Sequence, residues 1–394
     1  MKKFFIVLLA LTLLTSLELP IYAKNVQKSG AEDAVITEQA KTDLGLNVKG
    51  AYLIEAKTGK VLYSENEFLS ASPASVTKIM TLLLVCEALE SGKIKLDDTV
   101  TVSEYAASMG GSQVFLEEGE RMSVEELIKC TVIASANDAA VALAELVAGS
   151  EEAFVRSMNR RAAELGLKAT SFENTTGLDD TTVNHYSCAA DIAKMSRELI
   201  KHDIILKYSG LWQDTIRDGS FTLTNTNRLV RYYDGCNGLK TGSTDKAGYC
   251  VSTTAKRGNM QLIAVIMGAE SRDARNAAAR KLLDYGFASY ALFEAEKRLI
   301  ENVPVLAGTC DFIPVISGEY STVIEKGKSS QVELIYEIPE TLTAPITEGD
   351  VIGKIIYKLD GEQIGQSDIL AGASVEKIDF LGIFWRIISR ITCG

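Results

Sequence analysis

The chain has 394 residues, 52 acidic against 41 basic side chains and a formal net charge of −11. That balance argues against nucleic acid as a partner, because neutralising phosphates takes a basic surface. The length exceeds one typical domain, so a large domain followed by a smaller one is expected.

Residues 1–23 read as an export signal: Lys2 and Lys3 precede the apolar run Phe4 to Leu14, and the small residue Ala23 offers a cleavage site. A permanent anchor needs about 20 apolar residues, and Ser16, Glu18 and Pro20 interrupt the run before that. Two strands, Ala51 to Glu55 and Val61 to Tyr63, flank a turn at Thr58-Gly59. A helix follows, signalled by Ser72 and Pro73, apolar from Ile79 to Leu89 and ended by Gly92. A second runs from Ser123 to about Val132, with Ser123 and Glu126 spaced as a capping box. Further helices are predicted over Asp138 to Val147, Glu151 to Leu165 and Ala189 to His202.

The chain then turns β-rich. Tyr249 to Ala255 and Gln261 to Gly268 read as strands joined through Gly258-Asn259, followed by a helix from Ala274 to about Tyr285. This pattern predicts an α/β domain with helices around an antiparallel sheet. From Arg298 the composition shifts to short strands, such as Ile300 to Leu306, Ser330 to Ile338 and Val351 to Leu359, separated by Gly, Pro and Asp turns. Residues 298–374 therefore read as a small all-β domain. In the tail, Glu376 to Gly394, Phe380, Leu381, Phe384, Trp385, Ile388 and Ile391 recur at helical spacing opposite Arg386, Ser389 and Arg390. An amphipathic helix lying in a membrane surface is expected over 375–394.

Seven cysteines leave an odd one, none lies in a C-x-x-C pair, and only His185 and His202 could join them. No metal and no cofactor is expected. Cys236 and Cys250 flank a motif described below and could meet across two strands, although burial as small apolar residues is the expected role.

The shortage of histidine also bears on catalysis. His202 sits in a charged helix end and reads as solvated, His185 reads as a structural loop residue, and no G-x-S-x-G elbow is present. A covalent mechanism would need lysine as its base, which burial or a neighbouring cation permits by lowering the amine pKa. Ser75 and Lys78 meet that need: residues i and i+3 at a helix start share a face, and the apolar run behind them would hold them rigid and dry.

Ser-x-x-Lys by itself is weak, since a chain this long contains roughly one or two by chance. Another copy, Ser374 to Lys377, reads as linker. Lys-Thr-Gly occurs at Lys57-Thr58-Gly59, in a hairpin turn, and at Lys240-Thr241-Gly242, in a strand region. Ser-x-Asn occurs at Ser64, Ser135 and Ser157, and only Ser135-Ala136-Asn137 falls in a loop between apolar helices.

Taken in order, Ser75-Val76-Thr77-Lys78, Ser135-Ala136-Asn137 and Lys240-Thr241-Gly242 resemble the three motifs of the penicillin-binding-protein and serine β-lactamase superfamily. The phrases Pro73 to Thr81, Gly110-Gly111-Ser112, Ser135 to Ala140 and Gly235 to Gly248 narrow the resemblance to low-molecular-mass D-alanyl-D-alanine carboxypeptidases, serine peptidase family S11. The likeness runs from about Gly50 to Tyr285, and the β-domain and tail fit the same family. It implies a β-lactamase-like catalytic domain over 24–297, ahead of the β-rich domain and the tail.

The resemblance also implies roles. Ser75 would attack the carbonyl between the terminal D-alanines of a peptidoglycan stem peptide, Lys78 would take its proton, and Ser135 would relay a proton to the leaving amine. Asn137 would hold the substrate amide and Lys78, and Lys240 would add positive charge. Thr241 and Arg275 would bind the substrate carboxylate, with Gly242 and Ser243 beside them and the Ser75 and Ser243 N–H groups as the oxyanion hole. β-Lactam antibiotics would acylate the same serine. Some family members carry His where Thr176 stands, which bears on how that loop orders water for deacylation.

Competing readings share the fold, among them a D,D-endopeptidase acting on cross-linked peptides with the same residues. A β-lactamase would need a water-activating group, for which Glu173 is the nearby carboxylate. A non-catalytic envelope-binding protein would not need Ser75, Lys78, Ser135, Asn137 and Lys240 all intact.

Overall fold

Successive side chains of a strand point to opposite faces, and the strand Met260–Ala269 uses both. Ile263, Val265 and Met267 enter one apolar cluster while Leu262, Ala264 and Ile266 enter another. The strand is the middle one of five, in the order Val61–Glu65, Gly50–Glu55, Met260–Ala269, Gly248–Arg257, Cys236–Thr244, and every neighbouring pair is antiparallel. The helix Arg272–Ser289 supplies Ala279, Leu282 and Leu283 to one cluster, and the helices Lys78–Glu90 and Ala189–Leu199 fill the other. The protein is described by a computed structural model covering residues 42–180 and 182–392. The export signal expected over residues 1–23 lies outside those residues.

The helix Lys78–Glu90 is buried almost all round, with Ile79, Met80, Leu82, Leu83 and Val85 at most 1% exposed. A helix apolar on every side belongs inside a core. Its start differs from the expectation: Ala74–Thr77 form a tight 3₁₀ turn before the α-helix begins. The capping box of the next helix is present, Ser123 and Glu126 each bonding the other's backbone N–H. That helix is α only over Val124–Lys129 and then widens into a π turn, Cys130–Ala134. Thr226 N–H holds the Ile133 carbonyl at 3.1 Å, and Thr131 Oγ1 donates back to Leu127 O at 2.8 Å. Both contacts occupy carbonyls in and just before the turn, where a side chain or a distant backbone group can divert the regular ladder.

The helix expected to run from Ala189 to His202 stops at Leu199, and a separate one spans Asp203–Ser209. His202 stands at the break in extended conformation and is not solvated: its ring is 10% exposed and Nδ1 lies 2.6 Å from Glu90 Oε1. Long-range packing overrides the charged local sequence here.

The C-terminal part is a six-stranded sheet in the order Glu333–Glu337, Val351–Leu359, Glu362–Ala371, Phe312–Ser317, Leu299–Leu306, Leu342–Thr343. Val303, Val305, Ile313, Val315, Ile355 and Ile369 form its core. The strand Tyr290–Ala295 precedes the composition shift at Arg298 and already pairs with Tyr320–Glu325. Ser329–Gln331 take a 3₁₀ turn, which delays the strand expected from Ser330 to Glu333. The tail forms a helix, Phe380–Thr392, with Phe380, Leu381, Phe384, Trp385 and Ile391 exposed. Cys236 sits opposite Ala255 and Cys250 opposite Gly242, so the register holds the two sulfurs apart, and the six described cysteines are free.

Candidate active site

Ser75 lies in the 3₁₀ turn, directly after Ala74, whose φ is +47°. Lys78 opens the α-helix and is completely buried. Its Nζ lies 3.0 Å from Ser75 Oγ and 2.9 Å from Thr176 O, and it also bonds Asn137 Oδ1. The Asn137 amide is oriented by its other end, where Nδ2 donates to Gly110 O at 2.7 Å. Burial first, and the charge of Lys240 second, push the Lys78 amine well below the ordinary lysine range. A neutral amine has two N–H bonds and one lone pair. Thr176 O and Asn137 Oδ1 can only accept and so take both N–H groups. The lone pair is left to accept the Ser75 hydroxyl proton.

A second set meets the first. Ser135 follows the π turn with φ 63° and ψ 26°, a left-handed conformation that costs a non-glycine residue roughly 1–2 kcal/mol. This kink turns its hydroxyl toward the edge strand Cys236–Thr244, where Lys240 Nζ donates to Ser135 Oγ at 2.7 Å and to Thr241 O at 2.9 Å. Lys240 is 1% exposed, and burial followed by the Arg275 charge lowers its pKa to about 7. Arg275, in the first turn of its helix, is 3% exposed; burial and then Arg272 lower it to about 10. Its guanidinium bonds Asn276 Oδ1 and forms no ion pair among the described residues. Two buried cations without a carboxylate suit an anionic ligand. Thr241 Oγ1 donates to Thr226 Oγ1 at 2.8 Å, a neighbour that motif reading passed over because it lies in no motif.

The glycine of Lys240-Thr241-Gly242 has a steric reason. A Cβ at residue 242 would stand 2.7 Å from Ser75 N and 2.9 Å from Pro73 O, so only glycine lets the edge strand touch the serine turn. Ser243 follows, exposed, on the same strand.

The loop from Phe172 to Tyr186 closes the other side. Thr175 is held by Glu151, whose Oε1 accepts from Thr175 N at 2.9 Å and Oγ1 at 2.7 Å, and Thr81 Oγ1 donates to Thr175 O at 2.7 Å. Asp179 Oδ2 accepts from Ser72 Oγ at 3.1 Å and Thr244 Oγ1 at 2.5 Å, tying loop, serine turn and edge strand together. The buried His185 accepts the Glu173 N–H at Nδ1, so Nε2 carries the proton and donates to Thr77 Oγ1 at 2.8 Å. Glu151, Asp179 and the Thr176 carbonyl carried no sequence signal, because each acts through a contact distant in the chain.

Several motif copies stand elsewhere. Lys57-Thr58-Gly59 turns the first hairpin, with Lys57 paired to Glu294. Ser374 accepts the Glu348 N–H, and Ser157 lies within the helix Glu151–Glu164. Glu173 Oε2 accepts the Val183 and Asn184 N–H groups at 2.7 and 3.0 Å, which commits it to its own loop.

Comparison with known proteins gives the family. Residues 36–271 match the D-alanyl-D-alanine carboxypeptidase family, Peptidase S11, and residues 287–377 match the penicillin-binding protein 5 C-terminal domain. The chain is 45% identical to D-alanyl-D-alanine carboxypeptidase DacF of Bacillus subtilis over 358 residues, 89% of this chain and 92% of that protein. Penicillin binding protein 5 of Haemophilus influenzae is 33% identical, with a TM-score of 0.73 over 85% of this chain and 99% of that one. Penicillin-binding protein D2 of Listeria monocytogenes, solved in its ampicillin-bound form, is 30% identical with a TM-score of 0.58, covering 62% of this chain and 99% of that one. With its family match spanning more than half its length and both halves of its fold accounted for, the chain belongs to the D-alanyl-D-alanine carboxypeptidase family.

Proposed function

We propose that this protein is a serine D-Ala-D-Ala carboxypeptidase that trims peptidoglycan stem peptides through a Ser75 acyl-enzyme, and that β-lactams acylate the same serine. The observation that carries this reading is the Lys78 amine, buried, depressed in pKa, and left with one free position 3.0 Å from Ser75 Oγ.

In the first step the Ser75 proton passes to Lys78 as Oγ bonds the carbonyl carbon between the two D-alanines. The Ser75 and Ser243 N–H groups stabilise the developing oxyanion, a contribution of roughly 3–4 kcal/mol where such a donor has been removed. The C–N bond then breaks as Ser135 passes its hydroxyl proton to the leaving amine and takes one in turn from the Lys240 ammonium that donates to it. Arg275, Lys240 and Thr241 hold the terminal carboxylate. Water next attacks the ester, giving the shortened peptide and free Ser75; with a β-lactam the amine stays tethered to the acyl group. The engagement of Glu173 with its own loop favours this reading over a β-lactamase.

The site calls for a location outside the cytoplasmic membrane. Lys2, Lys3 and the apolar run to Leu14 support export, and the exposed Phe380, Phe384 and Trp385 support seating of the last helix in a membrane surface. Among the described residues no helix is long and apolar enough to cross a membrane. On this reading the β-rich part spaces the site from the lipid.

The test is to incubate the protein with a fluorescent penicillin and with a peptide ending in D-Ala-D-Ala, and to repeat both with Ser75→Ala. Labelling and D-alanine release that vanish in the variant are expected. Fast penicillin turnover without peptide cleavage would point to a β-lactamase instead. Truncation at Glu376 should move the protein to the soluble fraction; retention in the membrane would remove the anchoring role.

A further inference from the structure

Phe115 combines two features that ordinary surface residues lack. The residue is 66% exposed although Val114 and Leu116 on either side are buried in the core. Its φ is +57°, in the left-handed region that a bulky side chain avoids. A single exposed aromatic residue is unremarkable, and so is a glycine at positive φ. An exposed phenylalanine held at positive φ is neither.

The surroundings impose that conformation. Asp138 Oδ2 accepts both the Val114 and the Leu116 N–H at 3.1 Å, pinching the chain on each side of Phe115. Arg217 donates to Val114 O at 3.0 Å and to Phe115 O at 3.1 Å, and is itself forked onto Glu120. Strained residues persist only where the structure over-determines them, and such positions cluster at ligand sites.

The same segment is wired to the candidate active site. Asn137 N–H donates to Ser112 O at 2.7 Å, its side-chain Nδ2 donates to Gly110 O at 2.7 Å, and Asp138 is the next residue. These bonds attach Phe115 to the Ser75, Lys78 and Asn137 side of the site. The Thr241 and Arg275 side, where a terminal carboxylate would sit, is reached through other elements.

We propose that Phe115 is a specificity-determining residue: its ring forms an apolar subsite for the acyl-donor part of the substrate, taking the aliphatic side chain that precedes the two D-alanines or the aryl side chain of a penicillin. This rests on the carboxypeptidase reading above. The ring is kept out of the core at the expense of backbone strain because packing onto substrate is its use, and ligand contact would remove it from water.

Two penicillins test the idea: one with a phenoxyacetyl side chain, and 6-aminopenicillanic acid, which has none. Second-order acylation rate constants are measured for the parent, Phe115→Ala and Phe115→Gly, with Tm for each. Losing a half-buried ring contact should lower the rate with the phenoxyacetyl drug about tenfold and leave the rate with 6-aminopenicillanic acid within about twofold. The glycine variant, relieved of strain, should melt no lower than the parent. Equal losses on both drugs would mean a structural role and overturn the proposal, as would no loss on either. A parent protein that neither drug acylates would sink the carboxypeptidase reading and this subsite with it, whereas insensitivity at Phe115 sinks the subsite alone.

Discussion

Gly177 lies against Ala74 so closely that a β-carbon on it would stand 1.8 Å from the Ala74 carbonyl oxygen and 2.8 Å from Thr77 Oγ1. Its φ is +83°. The loop therefore touches the turn that carries Ser75 through a residue that only glycine can supply, and it does so beside Thr176, whose carbonyl bonds Lys78.

Gly177→Ala should push that loop off the serine turn. Overpacking of this kind costs about 1–3 kcal/mol, and the left-handed backbone adds roughly 1–2 kcal/mol. A Tm lower by roughly 5–10 °C is expected, with penicillin acylation down by about 100-fold as Thr176 O leaves Lys78. An unchanged acylation rate would show that the Thr176 carbonyl does not set the lysine.

Acylation should rise with pH along a limb well below 10.5, the ordinary lysine value, because only the neutral Lys78 amine accepts the Ser75 proton. Burial is the larger cause of that depression and the Lys240 charge the second. Lys240→Met removes the second cause, so its limb should move to higher pH in stopped-flow acylation; a limb that stays put or moves down contradicts the charge coupling. Stability should respond as well. Between about 7, where buried Lys240 loses its proton, and 10.5, the unfolded chain binds the extra proton. Stability therefore rises with pH across that window, and Lys240→Met should lose its share of the rise, leaving that of the depressed Lys78, in urea titrations at pH 6.5 and pH 9.

Ser135 separates stability from chemistry. Ser135→Gly relaxes the strained φ of 63°, which offsets roughly 1–2 kcal/mol of the loss of the hydroxyl that Lys240 bonds, so it should melt above Ser135→Ala and close to the parent. Ser135→Ala keeps the strain and leaves the buried Lys240 without its hydroxyl partner, a loss of about 1–3 kcal/mol. Both should lower D-alanine release by about 100-fold or more, the usual scale for a lost proton-transfer group. Peptidase activity retained in either variant rejects the relay role.

His185 is held neutral. Burial lowers its pKa from 6.5 to about 4, against the opposing charge of Glu173. The folded state then binds fewer protons than the unfolded one between those values, so stability is full above pH 6.5 and falls as pH drops toward 4. The loss should approach roughly 3 kcal/mol. His185→Gln, which can still donate to Thr77, should flatten this acid limb while keeping acylation within about threefold. An acid limb as steep as the parent's would assign the loss to other groups.

Much of this protein was legible in one dimension, for identifiable reasons. Short apolar runs bounded by turn residues announced the strands around residues 51–55 and 249–268, and Ser123 with Glu126 announced a capping box, because these signals act over a few residues. The ordered motifs singled out Ser75, Lys78, Ser135, Asn137 and Lys240, which the fold joins as two hydrogen-bonded sets coupled by the charge of Lys240 on Lys78. The meeting of Ser75 with Lys78 was thus predictable as a pair of residue types at helical spacing.

Its chemistry was not. That a neutral Lys78 would have its lone pair free for Ser75 depends on acceptors 59 and 98 residues away. The left-handed Ser135 depends on a π turn whose Ile133 carbonyl is held by Thr226. His202 reads as solvated until Glu90 covers it, and Tyr290–Ala295 reads as part of the first domain until Tyr320–Glu325 pairs with it. Local sequence determines propensity, period and motif. Which acceptor remains for a proton, which backbone is strained and which charge is desolvated are decided by contacts between distant segments, and only the folded chain brings those together.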